Sequence, residues 1–333
     1  MTTRIGINGF GRIGRSYLRA ALGNAADVEV VAVNDIAGVE VLATLLEWDS
    51  ISGQLAGVAV DGDRLRVGEK SMAVFSERDP SRIPWGGIGA DIVIESTGFF
   101  TDAATARAHL DGGARKVIVS APASGDVPAL VLGVNTDTLD VAGSDVFSNG
   151  SCTTNCLAPM AKVLNDAFGI ESGLMNTIHA YTSDQRLHDA PHKDLRRARA
   201  AAMSTIPTSS GAARTIGKII PELNGKLTGF ALRVPVPVGS ITDFTAVLSR
   251  PVTAAEVNDA FRAAASGELS GYLAYSEAPI VSADIVGNPH SVIFDAPLTE
   301  AIGNHVKVLG WYDNEWGFSN RLVELSELIG QRL

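Results

Sequence analysis

Cysteine, positive charge and long apolar runs are all scarce in this chain of 333 residues. Only two cysteines occur, Cys152 and Cys156, too few for a disulfide framework and spaced for one helical turn instead. Met1 to Ile5 run straight into a strand-like segment, with no charged region and apolar stretch of a leader ahead of it. A reducing, cytoplasmic location is the expectation. Lys and Arg number 27 against 37 Asp and Glu, a net charge of -10, which opposes general attraction to nucleic acid or anionic lipid. Any anionic ligand must therefore be held locally. No apolar run approaches the roughly 20 residues of a membrane span. Repeats, low-complexity tracts and Pro-rich linkers are missing too, and no nucleic-acid, membrane or metal partner is expected.

Apolar residues make up 46% and charged residues 19%, which excludes disorder. The length exceeds what one hydrophobic core usually organises, so two domains are expected. In the first half short apolar runs, Ile5 to Asn8, Val28 to Val33, Ile92 to Glu95, Val117 to Ser120 and Leu130 to Val134, alternate with helix-like segments. That is the pattern of a parallel sheet covered on both faces. Beyond residue 150 longer alternating segments, Leu174 to Ile178, Phe230 to Val236 and Phe244 to Leu248, predict a mixed or antiparallel sheet. Asn320 to Ile329 carries one apolar helical face. The fold class is α/β: a Rossmann-type parallel-sheet dinucleotide domain, residues 1–151 with 315–333, plus an α+β catalytic domain, residues 152–314.

Gly9, Gly11 and Gly14 form Gly-x-Gly-x-x-Gly directly after a strand and at the opening of a helix. The first permits a tight turn, the second lets backbone approach a pyrophosphate, and the third lets helix and strand pack closely. Asp35 stands 21 residues beyond Gly14 at the end of the second strand, where a carboxylate can accept from ribose hydroxyls and would repel a 2′-phosphate. A glycine turn with a capping Asp is the bland reading. Thr97-Gly98 and Ser120-Ala121-Pro122 end two further strands at the same edge and are expected to wall the cofactor site.

Ser148 to Cys156, SNGSCTTNC, is a polar run rich in capping residues that leads into an apolar segment, so a helix is expected to begin there. A thiol at a helix N-terminus gains from the dipole and from unpaired backbone N–H groups, which can also hold an oxyanion. Cys152 is the candidate nucleophile and Cys156 a small core residue, although free cysteines of both kinds commonly serve only as packing. His179 ends a strand and is the candidate base among six histidines; a lone His is often structural. The basic run His192 to Arg199 is open to three readings: a nucleic-acid patch, a solvated face or a phosphate-facing loop.

Along essentially its whole length the chain resembles the glyceraldehyde-3-phosphate dehydrogenase family, through INGFGRIGR, SNGSCTTNCLAP, HAYTSDQR, PHKDLRRARAAA, GKIIPELNGKLTGFALRVPVP and WYDNEWGFSNR. The resemblance implies a homotetramer of two-domain subunits, with the C-terminal helix returning to the dinucleotide domain. It implies phosphorylating oxidation of D-glyceraldehyde 3-phosphate to 1,3-bisphosphoglycerate with reduction of NAD, in glycolysis, through a thiohemiacetal and thioester on Cys152. His179 would be its base. Thr182 and Arg233 resemble residues that hold the substrate's C3 phosphate. Ser151, Thr153, Ser210 and Gly211 resemble the inorganic-phosphate site, and Arg197 lies in a loop facing both anions, beside Arg196 and Arg199. Phe10, Gly11, Arg12, Ile13 and Asp35 resemble pyrophosphate and adenosine contacts, Arg78 and Ser120 line the pocket, and Asn314 resembles the residue holding the carboxamide.

Departures from the family pattern are Gly150 for Ala, Ser210 for Thr, Phe318 for Tyr, and Ala190 before Pro191 where NAD-specific members usually have Leu. Asp35 and Pro191 imply NAD; the smaller Ala190 implies some use of NADP. Two competing readings are an erythrose-4-phosphate dehydrogenase, which hydrolyses its thioester, and a dinucleotide-binding paralogue without turnover.

Overall fold

The computed structural model describes residues 2–24 and 26–333. By its internal contacts the chain divides into unit 1, Met1–Leu130, Thr138–Gly150 and Ser319–Leu333, and unit 2, Val131–Asp137 and Ser151–Phe318.

Unit 1 is built on an eight-stranded sheet in the order β10-β9-β8-β1-β2-β7-β6-β5. Its strands are β1 (Thr3–Asn8), β2 (Val28–Asn34), β5 (Val58–Asp61), β6 (Arg64–Val67), β7 (Lys70–Phe75), β8 (Ile92–Glu95), β9 (Lys116–Val119) and β10 (Val146–Ser148). A separate two-stranded ribbon pairs β3 (Trp48–Asp49) with β4 (Gly53–Gln54). From β10 to β7 every pairing is parallel, while β7, β6 and β5 continue antiparallel. The helices α1 (Arg12–Gly23), α2 (Val39–Glu47) and α3 (Ala103–Asp111) follow β1, β2 and β8 in the chain. All residues of β8 and β9 are buried, as continuous apolar runs in a sheet covered on both faces must be.

The expected strand at Leu130 to Val134 is not one, and Val146–Ser148 instead pairs in parallel with β9 at the end of the sheet. Leu130, Val131 and Leu132 are buried as expected. The chain nevertheless turns there: Gly133 has φ +82°, and the Val131 N–H donates to the Asn135 side chain at 2.8 Å in place of a ladder partner. The remaining strands lie where the apolar runs do. The antiparallel extension β5–β7 has no counterpart in the sequence reading.

Register decides where the edge of this sheet can bind. Asn8, the last residue of β1, pairs with Asn34 on one side and Glu95 on the other, so three strands end level. The chain leaves β1 in one direction for β2 and returns on the other side as β8, which makes this the switch point where ligands bind in open sheets. Beneath the edge, Glu95 and His109 are buried and bonded to each other at 2.9 Å, with Trp85 donating to the other ring nitrogen at 3.1 Å. Glu95 in turn accepts from the Thr97 N–H at 2.8 Å and from Asn8 at 2.6 Å, so the buried cluster fixes the loop after β8.

Residues 319–333, most of helix α7 (Trp316–Gly330), belong to unit 1. Asn24 donates to Asn320 at 2.8 Å, and Arg115 donates to the Leu333 carbonyl at 2.8 Å. Its apolar side, with Leu322, Val323, Leu325 and Ile329, is buried.

Unit 2 carries a mixed sheet in the order β12-β13-β11-β14-β18-β16-β15, with β17 also paired to β18. Its strands are β11 (Ile170–Ala180), β12 (Ile206–Ser209), β13 (Leu227–Val234), β14 (Ser240–Leu248), β15 (Leu273–Ser276), β16 (Val292–Asp295), β17 (Glu300–Ile302) and β18 (His305–Tyr312). Antiparallel pairings dominate, but β11 and β13 run parallel, which sets His179 directly beside Arg233. Helices α4 (Cys152–Phe168), α5 (Ala212–Ile219) and α6 (Ala254–Ser266) complete the unit. Cys156, Leu157, Met160, Ala161 and Leu164 of α4 are fully buried.

Candidate active site and dinucleotide site

In unit 1 a cavity of about 570 Å³ opens at the carboxyl edge, within the size range of small-molecule sites. Gly9, Gly11, Asp35, Arg78, Thr97 and Phe99 are among its walls. Gly9 has φ +89°, and a Cβ there would stand 2.7 Å from the Thr97 backbone nitrogen. A Cβ on Gly14 would stand 2.3 Å from the Gly9 carbonyl oxygen, so turn and helix approach as closely as backbone allows. Gly11 is the N-cap of α1 and has no side chain with which to cap the helix's first N–H groups. Those donors suit an anion. The Asp35 carboxylate accepts from the Phe10 N–H at 2.8 Å and the Ala37 N–H at 3.1 Å, which holds it at the rim.

The sequence candidates divide on inspection. Gly11, Asp35 and Arg78 line the cavity, whereas Phe10 turns its ring into the core, 1% exposed, is not among the lining residues, and gives its N–H to Asp35. Arg12 and Ile13 sit in the first turn of α1, with the Arg12 guanidinium paired to Asp49. Ser120 follows β9 and donates its N–H to the Glu95 carbonyl at 2.9 Å, and it is not among the cavity's lining residues. Asn8, Asn34, Glu77, Ser96 and Phe100 also line it and were not singled out from the sequence.

Gly9→Ala should weaken NAD binding about 10-fold, because a side chain in the left-handed region costs roughly 1–2 kcal/mol before the clash with Thr97 is relieved. Isothermal titration with NAD measures this; an unchanged Kd would remove the loop from the site.

In unit 2 the residues Ser151 to Thr154 open α4. The Ser151 hydroxyl oxygen accepts from the Thr154 N–H at 3.0 Å, an N-cap that leaves Cys152 as the first helical residue. Its Sγ lies 3.4 Å from Nε2 of His179. The other ring nitrogen, Nδ1, is 2.6 Å from the Ala180 carbonyl oxygen, an acceptor only, and on that contact we assign the ring proton to Nδ1, which makes the nearby Arg233 Nη1 an approach between two donors. Nε2 then carries a lone pair facing sulfur. Arg233 brings Nη1 within 2.9 Å of Nδ1 and donates to the Ala180 carbonyl at 3.1 Å and to the Thr182 hydroxyl at 3.4 Å.

Burial and then the Arg233 charge push His179 down to about 3, so it is a neutral base. Burial likewise raises the Cys152 thiol, opposed by Arg233 and by the Thr153 N–H and hydroxyl. The resting pair is a thiol beside an unprotonated imidazole, poised for proton transfer as sulfur attacks. Cys156 is fully buried, and its thiol is pushed up to about 12, which fits a packing role.

Of the three arginines in the basic run, Arg197 is the one whose charge reaches both His179 and Arg233. It is held by the Thr208 hydroxyl at 2.8 Å and by an ion pair with Asp184, while Arg199 pairs with Asp189 on the exposed side. Ser210 accepts from the Ala212 N–H at 3.3 Å, and Gly211 is the N-cap of α5. The Asn314 carbonyl oxygen accepts from the Gly239 N–H at 3.2 Å and the Ser240 hydroxyl at 3.0 Å, which fixes the orientation of its amide. Thr153 is buried, and its hydroxyl meets that of Tyr312 at 2.9 Å. Sequence reasoning did not single out Tyr312, whose position at a strand end gives no signal of a polar partner.

Residues 3–103 match the model of the glyceraldehyde 3-phosphate dehydrogenase NAD binding domain, and residues 151–314 match that of the C-terminal domain of the same family. Curated relatives match end to end. Glyceraldehyde-3-phosphate dehydrogenase 1 of Streptomyces avermitilis and glyceraldehyde-3-phosphate dehydrogenase 2 of Streptomyces arenae are each 58% identical over 334 residues, covering 100% of both chains. The glyceraldehyde-3-phosphate dehydrogenase of Mycobacterium avium is 57% identical over 340 residues, again covering 100% of each.

Proposed function

Because the chain belongs to the glyceraldehyde-3-phosphate dehydrogenase family, we propose that its Cys152 and His179 carry the phosphorylating oxidation of D-glyceraldehyde 3-phosphate to 1,3-bisphosphoglycerate, with NAD as cofactor. The observation that carries the residue assignment is the sulfur of a helix-opening cysteine 3.4 Å from the bare nitrogen of a buried, neutral imidazole. NAD, when bound, supplies the hydride acceptor. The open approach over Gly11, on a turn packed closely through Gly9 and Gly14, suits a pyrophosphate, and the anchored carboxylate of Asp35 favours NAD over its 2′-phosphorylated form. Some use of NADP remains within the reading, since Ala190 is small.

Chemically, the Cys152 sulfur attacks the aldehyde carbon as Nε2 of His179 takes the thiol proton and passes it to the carbonyl oxygen, giving a thiohemiacetal and freeing Nε2 again. Loss of hydride from that carbon, with its hydroxyl proton accepted by Nε2, leaves a thioester. Inorganic phosphate then attacks the thioester carbonyl, expelling the Cys152 thiolate and forming the acyl phosphate. The two anions are assigned as in the sequence reading: Arg233 and Thr182 for the substrate phosphate, Ser151, Thr153, Ser210 and Gly211 for inorganic phosphate, with Arg197 near both. Asn314 and Ser120 join Phe10, Gly11, Arg12, Ile13, Asp35 and Arg78 as the dinucleotide contacts.

No helix among the described residues is long and apolar enough to cross a membrane. A cytoplasmic homotetramer is part of the proposal; the exposed apolar side chains Leu187, Leu195 and Met203, at 76%, 82% and 83% exposure along one segment, support association.

The deciding assay follows NADH formation from glyceraldehyde 3-phosphate with and without inorganic phosphate, and with erythrose 4-phosphate alongside. Omitting phosphate should cut steady turnover at least about 10-fold after a first-turnover burst, since the thioester then has only water to release it. A rate indifferent to phosphate would overturn the phosphorylating reading.

A further inference from the structure

Tyr312, the last residue of β18, is 1% exposed, yet its hydroxyl has two hydroxyl partners. One is Thr153 Oγ1 at 2.9 Å, in the first turn of α4 next to Cys152. The other is Thr177 Oγ1 at 2.7 Å, two residues before His179 on β11. Thr177 also reaches the Ile241 carbonyl at 3.3 Å, and the Tyr312 ring stands edge-on to His179 with centroids 5.9 Å apart. Thr153 and Thr177 are buried as well, so these hydroxyls have little access to water.

We propose that Tyr312 is a positioning residue for the thiol–imidazole pair: its hydroxyl ties the helix carrying Cys152 to the strand carrying His179, and turns the Thr153 hydroxyl toward sulfur when the thiolate forms. This rests on Cys152 being the nucleophile. Each hydroxyl has one hydrogen, so the chain has two complete arrangements. Beside a neutral thiol it runs from Thr153 to Tyr312 to Thr177 to the Ile241 carbonyl, and every proton is used. Beside a thiolate it runs the other way, from Thr177 to Tyr312 to Thr153 to sulfur. Switching reverses three hydroxyl hydrogens and aims at sulfur a Thr153 hydroxyl that already acts on the Cys152 thiol.

In a buried chain each bond polarises the next, so the reversed arrangement makes Thr153 a stronger donor than an isolated hydroxyl. Burial keeps Tyr312 protonated far beyond the usual phenol range, so it relays orientation and not charge. Among the other titratable groups of unit 2, Arg233 from β13 acts on both members of the pair and Arg197 from the loop after β11 acts on His179, while Asp184 from that loop acts on Arg233 and Cys156 from α4 acts on Tyr312.

The test is the pH profile of Cys152 alkylation by iodoacetamide, with the adduct mapped by mass spectrometry, for the ligand-free wild type, Tyr312→Phe, Thr177→Val and Thr177→Ser. Tyr312→Phe should move the midpoint to higher pH by about half to one unit, slowing alkylation below it about 3- to 10-fold, and kcat should fall by a similar factor. Thr177→Val should shift the profile the same way, and Thr177→Ser, which keeps the hydroxyl, should restore it. If the chain acts as one unit, the double variant Tyr312→Phe/Thr177→Val is no worse than the worse single. Tyr312→Phe with a wild-type profile, or simple additivity of the two changes, overturns the proposal; a melting-temperature change alone would not support it. Absence of the adduct from Cys152 in the wild type, or near-normal turnover in Cys152→Ser, would instead remove the nucleophile on which the proposal stands.

Discussion

Cys152→Ser should lower kcat at least about 10³-fold while NAD binding stays within about two-fold of wild type. The size of the loss follows from the base. His179 is a neutral imidazole pushed down to about 3, weak enough that it can accept a proton only from a group whose acidity rises steeply as bonding begins. A thiol adding to a carbonyl is such a group. An alcohol is several units less acidic, and the same burial that raises the Cys152 thiol would raise a serine hydroxyl further. The cofactor residues of unit 1 are untouched by a one-atom change at the start of α4, so coenzyme affinity is the internal control for folding. Stopped-flow NADH formation and equilibrium titration with NAD read the two quantities. Near-normal turnover would sink the mechanism, and a parallel loss of NAD affinity would point to misfolding.

The dinucleotide half was legible because its function is written in backbone constraints. Gly9 and Gly14 are glycines for reasons a sequence can carry, since a side chain at either would meet backbone at 2.7 or 2.3 Å. Asp35 is found by counting from them. The catalytic pair was legible in part. Capping residues announced the start of α4 and hence Cys152, but nothing local to His179 indicated a sulfur 3.4 Å away. That closeness depends on how α4 packs against β11, and the family resemblance supplied what local pattern could not.

The misses have physical causes too. Leu130 to Val134 is as apolar and buried as a strand, but burial does not distinguish a strand from a buried turn, and Gly133 with Asn135 turns it. The β5–β7 extension did carry a signal that went unread: Asp61-Gly62 and Gly68-Glu69 separate alternating segments, with Gly62 at φ +60° and Gly68 at φ +57°. Thr153 and Tyr312 are 159 positions apart, and no spacing rule joins two hydroxyls across that separation.

His179→Asn should reduce kcat about 10²- to 10⁴-fold and, more tellingly, change its dependence on pH. With the wild-type base unprotonated at every ordinary assay pH, proton transfer accompanies attack and the rate is only weakly sensitive to pH. Asparagine can hold a donor or acceptor near the sulfur but cannot take its proton. The variant must therefore wait for thiolate formed by the solvent, and burial has moved that ionisation above the ordinary thiol range. Its rate should rise close to tenfold per pH unit until the raised thiol value is reached, so the deficit narrows in alkali. Stability gives an independent sign. The folded value of His179 lies below the ordinary 6.5, so its contribution is fully present above pH 6.5 and is lost as pH falls from there toward 3. Over that window the wild type should lose up to about 1.4 kcal/mol per pH unit more than the asparagine variant. Denaturant unfolding at pH 7 and pH 5 measures the difference. Equal losses in the two proteins would mean that His179 is not the buried neutral base, whatever the activity shows.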